Sequence, residues 1–143
     1  MRARLLLGVA AVAALGCGRQ FAPVSGKVTM NGEPVAGATV VFQPIAKEGA
    51  IEAGPGSVGT TNEKGEYTLT ADTGQNGAVV GKHRVMISSL GVKPGAEGGD
   101  QRGGPPLEDR IPGRYNADTS LTFDVPDGGT NKADFPLTTT PPP

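Results

Sequence analysis

Glycine and proline interrupt this chain at intervals too short for a helix to propagate and long enough for a strand to form. From Val24 onward no segment repeats apolar residues at helical spacing over three turns, whereas period-two alternation returns between successive turn signals. The 23 glycines and 13 prolines are about a quarter of the 143 residues, a level that argues against a helical bundle. The same fraction in a highly charged chain would signal disorder. Here 36% of the residues are hydrophobic and the net charge is −1, so part of the chain has the apolar surface to fold.

The strands can be read from the alternation. Val24, Gly26, Val28 and Met30 point one way, and Ser25, Lys27 and Thr29 the other. Thr39–Gln43 is a β-branched and aromatic run, Val58–Thr61 a weaker one, and Glu66–Ala71 places Tyr67, Leu69 and Ala71 on one face. Lys82–Ser89 puts His83, Val85 and Ile87 together; Leu121–Val125 and Ala133–Leu137 complete the set. Seven short strands separated by turns predict an all-β protein, a seven-stranded antiparallel β-sandwich. Gly65 is placed for a left-handed residue closing a hairpin, and Asn62 for a side-chain bond to the backbone two residues on. Ala46–Gly56 has no strand pattern. Residues 91–106 (GVKPGAEGGDQRGGPP) carry too little apolar surface to repay ordering and read as a flexible insert, and residues 138–143 (TTTPPP) as a loose tail.

The start of the chain reads as an address. Arg2 and Arg4 precede Leu5–Leu15, an uncharged apolar run of about 11 residues where a membrane-spanning helix needs roughly 20. This is the pattern of a secretory signal peptide. It ends in Ala14-Leu15-Gly16-Cys17, which resembles the lipobox of bacterial lipoproteins. That resemblance implies cleavage after residue 16 and a diacylglyceryl thioether on Cys17. Cys17 is the only cysteine in the chain, so it has no partner for an internal disulfide, and lipidation would remove a free thiol from an oxidising compartment. The expected organisation is a signal peptide over 1–16, a lipidated tether over 17–23, the sandwich over 24–137 with its insert at 91–106, and a disordered tail over 138–143. The lipid would hold the protein in the cell envelope, on the periplasmic or surface side. Gly18 after the cysteine resembles outer-membrane sorting.

Three motifs carry a second resemblance. Ser25-Gly26-Lys27-Val28, then Gly32-x-Pro34-x-x-Gly37-Ala38-x-Val40, then Thr61-Asn62-x-x-Gly65-x-Tyr67-x-Leu69, are similar to the grammar of carboxypeptidase regulatory-like domains, a transthyretin-like (prealbumin-like) group of sandwiches. Gly81-Lys82-His83-Arg84-Val85 and Ile111-Pro112-Gly113-Arg114-Tyr115-Asn116 are similar to patterns in bacterial lipoproteins carrying that domain. The resemblance implies an accessory binding or structural module with no catalytic residues.

Composition narrows the function further. With one His, one Cys and no Trp, the residues of acid/base, nucleophilic and metal chemistry are nearly absent, so neither a cofactor nor a metal site is expected. Thirteen Lys and Arg against 14 Asp and Glu give no basic excess for nucleic acid. The expected partners are the membrane, through Cys17, and an envelope protein. The alternative is a small-ligand (carbohydrate) or hydrolase-like site gathering His83, Arg110, Arg114 and Tyr115. Packing of His83 inside the sandwich, and of Ile111 and Tyr115 against it, is the simpler reading of those residues.

Overall fold

The computed structural model describes residues 19–92, 107–141 and 143. The expected signal peptide, Cys17 and most of the 91–106 insert lie outside the described residues. The described chain is all-β, with one 3-10 turn at Gly113–Tyr115. Its strands run β1 (Phe21–Ala22), β2 (Ser25–Met30), β3 (Glu33–Pro34), β4 (Thr39–Pro44), β5 (Ser57–Thr60), β6 (Glu66–Thr68) and β7 (Thr70–Ala71). They continue with β8 (Ala78–Val79), β9 (Gly81–Ser88), β10 (Leu90–Val92), β11 (Leu107–Asp109), β12 (Thr122–Val125) and β13 (Phe135–Leu137).

The longer strands form where the alternation is cleanest. In β4, Val40, Phe42 and Pro44 are buried, and in β9 His83, Val85 and Ile87 are buried while Lys82 and Arg84 face solvent. These two strands pair antiparallel over six residues at the centre of a sheet ordered β12-β9-β4-β5-β7. A second sheet runs β13-β2-β3, with β6 also on β2. The two enclose one core, an arrangement consistent with a β-sandwich. Aromatic rings join the layers: Phe42 stands 5.6 Å from Phe123 and 6.0 Å from Phe135 in tilted and edge-on geometries. Tyr67 donates from its hydroxyl to the Ala133 carbonyl at 2.6 Å, tying β6 to the chain that leads into β13.

Asn62 holds its hairpin as expected, its Oδ1 accepting from the amides of Lys64 and Glu66 at 2.9 and 3.0 Å, while Gly65 takes a φ of 76°. Elsewhere the structure corrects the sequence reading. The sheets are not wholly antiparallel, because β13 pairs with β2 in parallel. Residues 66–71 are not one strand. Thr68 pairs with Ser25 in one sheet and Thr70 with Val58 in the other, so the chain turns a corner at Leu69, which is fully buried and donates its amide to the Val24 carbonyl at 2.9 Å.

Three boundaries also move. The tether expected over 17–23 is drawn into the body from Gln20: β1 pairs with β8, Ala22 is buried, and the Val80 amide donates to the Gln20 carbonyl at 2.8 Å. Gly91 and Val92, expected in the insert, belong to β10, which pairs antiparallel with β11. The tail expected to be loose from Thr138 is tied as far as Thr140. The Thr139 amide donates to Asn31 Oδ1 at 3.1 Å, and Arg114 donates to the carbonyls of Thr138 and Thr140.

Candidate functional site

The two ends of the long strand β9 carry different chemistry. At its start the incoming chain lies across the molecule beside Gly81. There Arg19, Gln20, Pro44, Ile45, Val79 and His83 line a cavity of about 340 Å³. Lys47, Glu52, Lys82 and Asp127 stand around it, and Arg19 reaches Glu52 at 3.4 Å in an exposed ion pair. A second groove, of about 660 Å³, continues along Ala46, Lys47, Lys82 and Asp124–Asp127. The loop between β4 and β5 overhangs this end. Its turn is closed by the Ala50 amide donating to the Lys47 carbonyl at 2.9 Å, with Gly49 at a φ of 83°, and Ile51 follows fully exposed.

His83 sits at this end but faces the core. It is fully buried, its ring centroid 5.6 Å from that of Phe42, and its Nδ1 lies 2.9 Å from the Gly81 carbonyl oxygen. A carbonyl only accepts, so Nδ1 carries the proton and Nε2 is the bare acceptor. Nε2 is buried and has no hydrogen-bond partner among the described residues. Burial pushes the imidazole pKa below its ordinary value, against smaller opposing pulls from the Gly81 carbonyl and Asp124. This is a neutral packing histidine.

The far end of β9 is built on Asp109. Its Oδ1 accepts from the amides of Ser89 and Ile111 at 2.8 and 3.0 Å, and its Oδ2 from the Asn116 amide group at 3.2 Å. The carboxylate thereby pins the returning chain to the end of β9. Arg110 donates to the Ser89 hydroxyl at 3.1 Å and, with Met30, Val35 and Ile111, lines a cavity of about 450 Å³. Leu90 is exposed at the same end.

Arg114 and Tyr115 form a clamp on the C-terminal segment. The guanidinium stacks over the Tyr115 ring at 4.7 Å while donating to the tail carbonyls, and the Tyr115 hydroxyl accepts from the Thr138 amide at 3.2 Å. Hydrogen bonds from Thr138 and Arg114 hold the phenol pKa below its ordinary value. A fourth, open groove of about 690 Å³ runs along Lys27, Asn62, Glu66, Asn131 and Asp134. Tyr67 borders it, but its buried phenol has a pKa raised by desolvation and by Asp134, which keeps it a hydrogen-bond donor.

Of the four residues considered for a gathered site, Arg114 and Tyr115 meet each other, while His83 and Arg110 belong to opposite ends of β9. His83 is near the start of β9 and Arg110 bonds Ser89 beyond its end, about 20 Å away at strand rise. Among the described residues no group of three or more His, Cys, Asp or Glu side chains is arranged to hold a metal. Cys17 lies outside them. What sequence reasoning missed is the surface beside Arg19. Its signal was two isoleucines, Ile45 and Ile51, in and beside a stretch that otherwise reads as an unpatterned loop. Compared with protein families, characterised proteins and solved structures, the chain matches none.

Proposed function

We propose that this protein is a lipid-anchored lipoprotein of the bacterial cell envelope, whose transthyretin-like sandwich is a non-catalytic binding or structural module of the carboxypeptidase regulatory-like kind. The supporting observation is the spacing between anchor and body. Strand β1 begins at Phe21, directly behind the only cysteine, and the preceding residues have the charge and apolar pattern of a lipoprotein signal. Strands β2, β4, β5, β9, β12 and β13 overlap six of the seven stretches of alternation, and the seventh, residues 66–71, is divided at Leu69 between β6 and β7.

A leash of so few residues holds the start of β9 near the bilayer. The end bearing Arg110, Leu90 and the 450 Å³ cavity then faces away, and it is the surface offered to an envelope partner. The separation of His83 from Arg110 along β9 favours a binding role over hydrolysis by those residues together. The test is a Cys17→Ser variant expressed with its leader. The native chain should partition with membranes and carry the diacylglyceryl mass on its N-terminal cysteine, and the variant should lose both. A variant that still incorporates labelled fatty acid would overturn the reading.

A further inference from the structure

The loop between β4 and β5 presents isoleucine to solvent beside the incoming chain. Ile51 is fully exposed and Ile45 is about two-fifths exposed (43%), and both belong to the end of the molecule where the chain enters. The connection is local. Arg19 pairs with Glu52, the residue after Ile51, and the Arg19 side chain crosses over Gly54, leaving only 3.0 Å between its Cδ and the position a Cβ would take there. Cys17 is two residues before Arg19, a span of at most about 7 Å of extended chain.

We propose that this loop is a membrane-docking element, with Ile51 and Ile45 entering the interface of the leaflet that holds the lipid on Cys17. The inference rests on the lipoprotein reading of that cysteine. Two acyl chains alone fix the protein to the bilayer but leave the body free to swing. Apolar side chains at an interface lie about 5–10 Å deep and would set its orientation. The contact is apolar and not electrostatic. Arg19 is paired with Glu52, Lys47 is followed by Glu48, and Lys82 pairs in register with Asp124, so the surface offers no basic excess to anionic headgroups. With Ile51 embedded, the groove along Lys82 and Asp124–Asp127 faces the headgroups, and the hairpin turn at Asn31–Gly32, at the opposite end of β2, points away.

The single cysteine makes the test clean, because a thioether at Cys17 leaves an introduced cysteine as the only free thiol. The full chain with its leader is expressed as Ile51→Cys or Glu33→Cys, labelled with an environment-sensitive fluorophore, and reconstituted into vesicles of phosphatidylethanolamine and phosphatidylglycerol. Mass spectrometry of the same sample reads the lipid on Cys17. The label at position 51 should emit about two-fold more strongly in vesicles than in detergent-free buffer, be quenched by spin-labelled lipid, and keep both properties in high salt. The label at position 33 should report water throughout. Lipidated protein whose two labels behave alike would overturn the docking while leaving the anchor intact, and a free Cys17 thiol would overturn the anchor and the docking with it.

Discussion

Acidification from pH 7.5 to 5.5 should destabilise the domain through one residue, His83. The folded state holds the ring neutral: it is fully buried against Phe42, donates from Nδ1 to the Gly81 carbonyl, and offers Nε2 no acceptor among the described residues to which a proton added there could be donated. Its pKa is lowered by burial, while in the unfolded chain an ordinary histidine titrates near 6.5. Between the lowered value and about 6.5 the unfolded state therefore binds more protons than the folded one. The contribution of the neutral ring is fully present above that window and is lost as pH falls through it. One proton sets the upper limit of the slope, about 1.4 kcal/mol per pH unit. A drop from 6.5 to 5.5 thus removes up to about 1 kcal/mol, a noticeable share of the roughly 5–15 kcal/mol by which domains are stable. The assay is urea unfolding at half-unit steps from pH 7.5 to 5.5, comparing the native chain with His83→Leu. His83 is the only histidine, so no other side chain of ordinary pKa titrates in this range. The variant loses the bond to Gly81 and starts from a lower level, but its stability should be flat with pH. A native slope near zero, or a slope that survives in the variant, would refute the account.

Two further substitutions test the corrected boundaries. Gly77 has a φ of 93°, and a Cβ there would run into the Ala22 carbonyl, so Gly77→Ala should cost about 2 kcal/mol and expose the amide of Val80 to hydrogen exchange. Unchanged stability and protection would mean that β1 is not docked. Asp109→Ala strands the amides of Ser89 and Ile111 together with the Asn116 amide group, and should lower the thermal midpoint by about 5 °C or more, with Asp109→Asn losing less. Equal midpoints for all three proteins would remove Asp109 from its place as the staple of this end.

The long strands were legible because burial on one face writes itself into the sequence with period two. Lys82–Ser89 and Thr39–Gln43 were readable for that reason, as was the hairpin of Asn62 and Gly65, whose geometry depends on residues within a few positions of each other. What escaped is held by distant partners. Strand β1 has two residues, too few to show alternation, and exists because β8 arrives beside it. The parallel pairing of β13 with β2 depends on where the chain returns in space, which spacing does not encode. The C-terminal segment looked extended, and it is, but Asn31, Arg114 and Tyr115 hold it through bonds spanning more than twenty residues.

The same distinction bears on the site. Chemistry carried by a local pattern, the lipobox ending at Cys17, could be proposed from residues alone. The separation of His83 from Arg110 could not, because it depends on β9 acting as a spacer. That strand has eight residues, about 23 Å of rise, and its two ends carry the tether crossing at Gly81 and the Ser89–Asp109 junction. If the first end is fixed to a bilayer, the second is necessarily presented outward, and the chain emerging at Val92 and returning at Leu107 departs from that outward end. On the binding-module proposal, deletion of residues 93–106 should leave membrane attachment intact while abolishing capture of an envelope partner crosslinked in intact cells, and capture that survives the deletion would place the contact elsewhere.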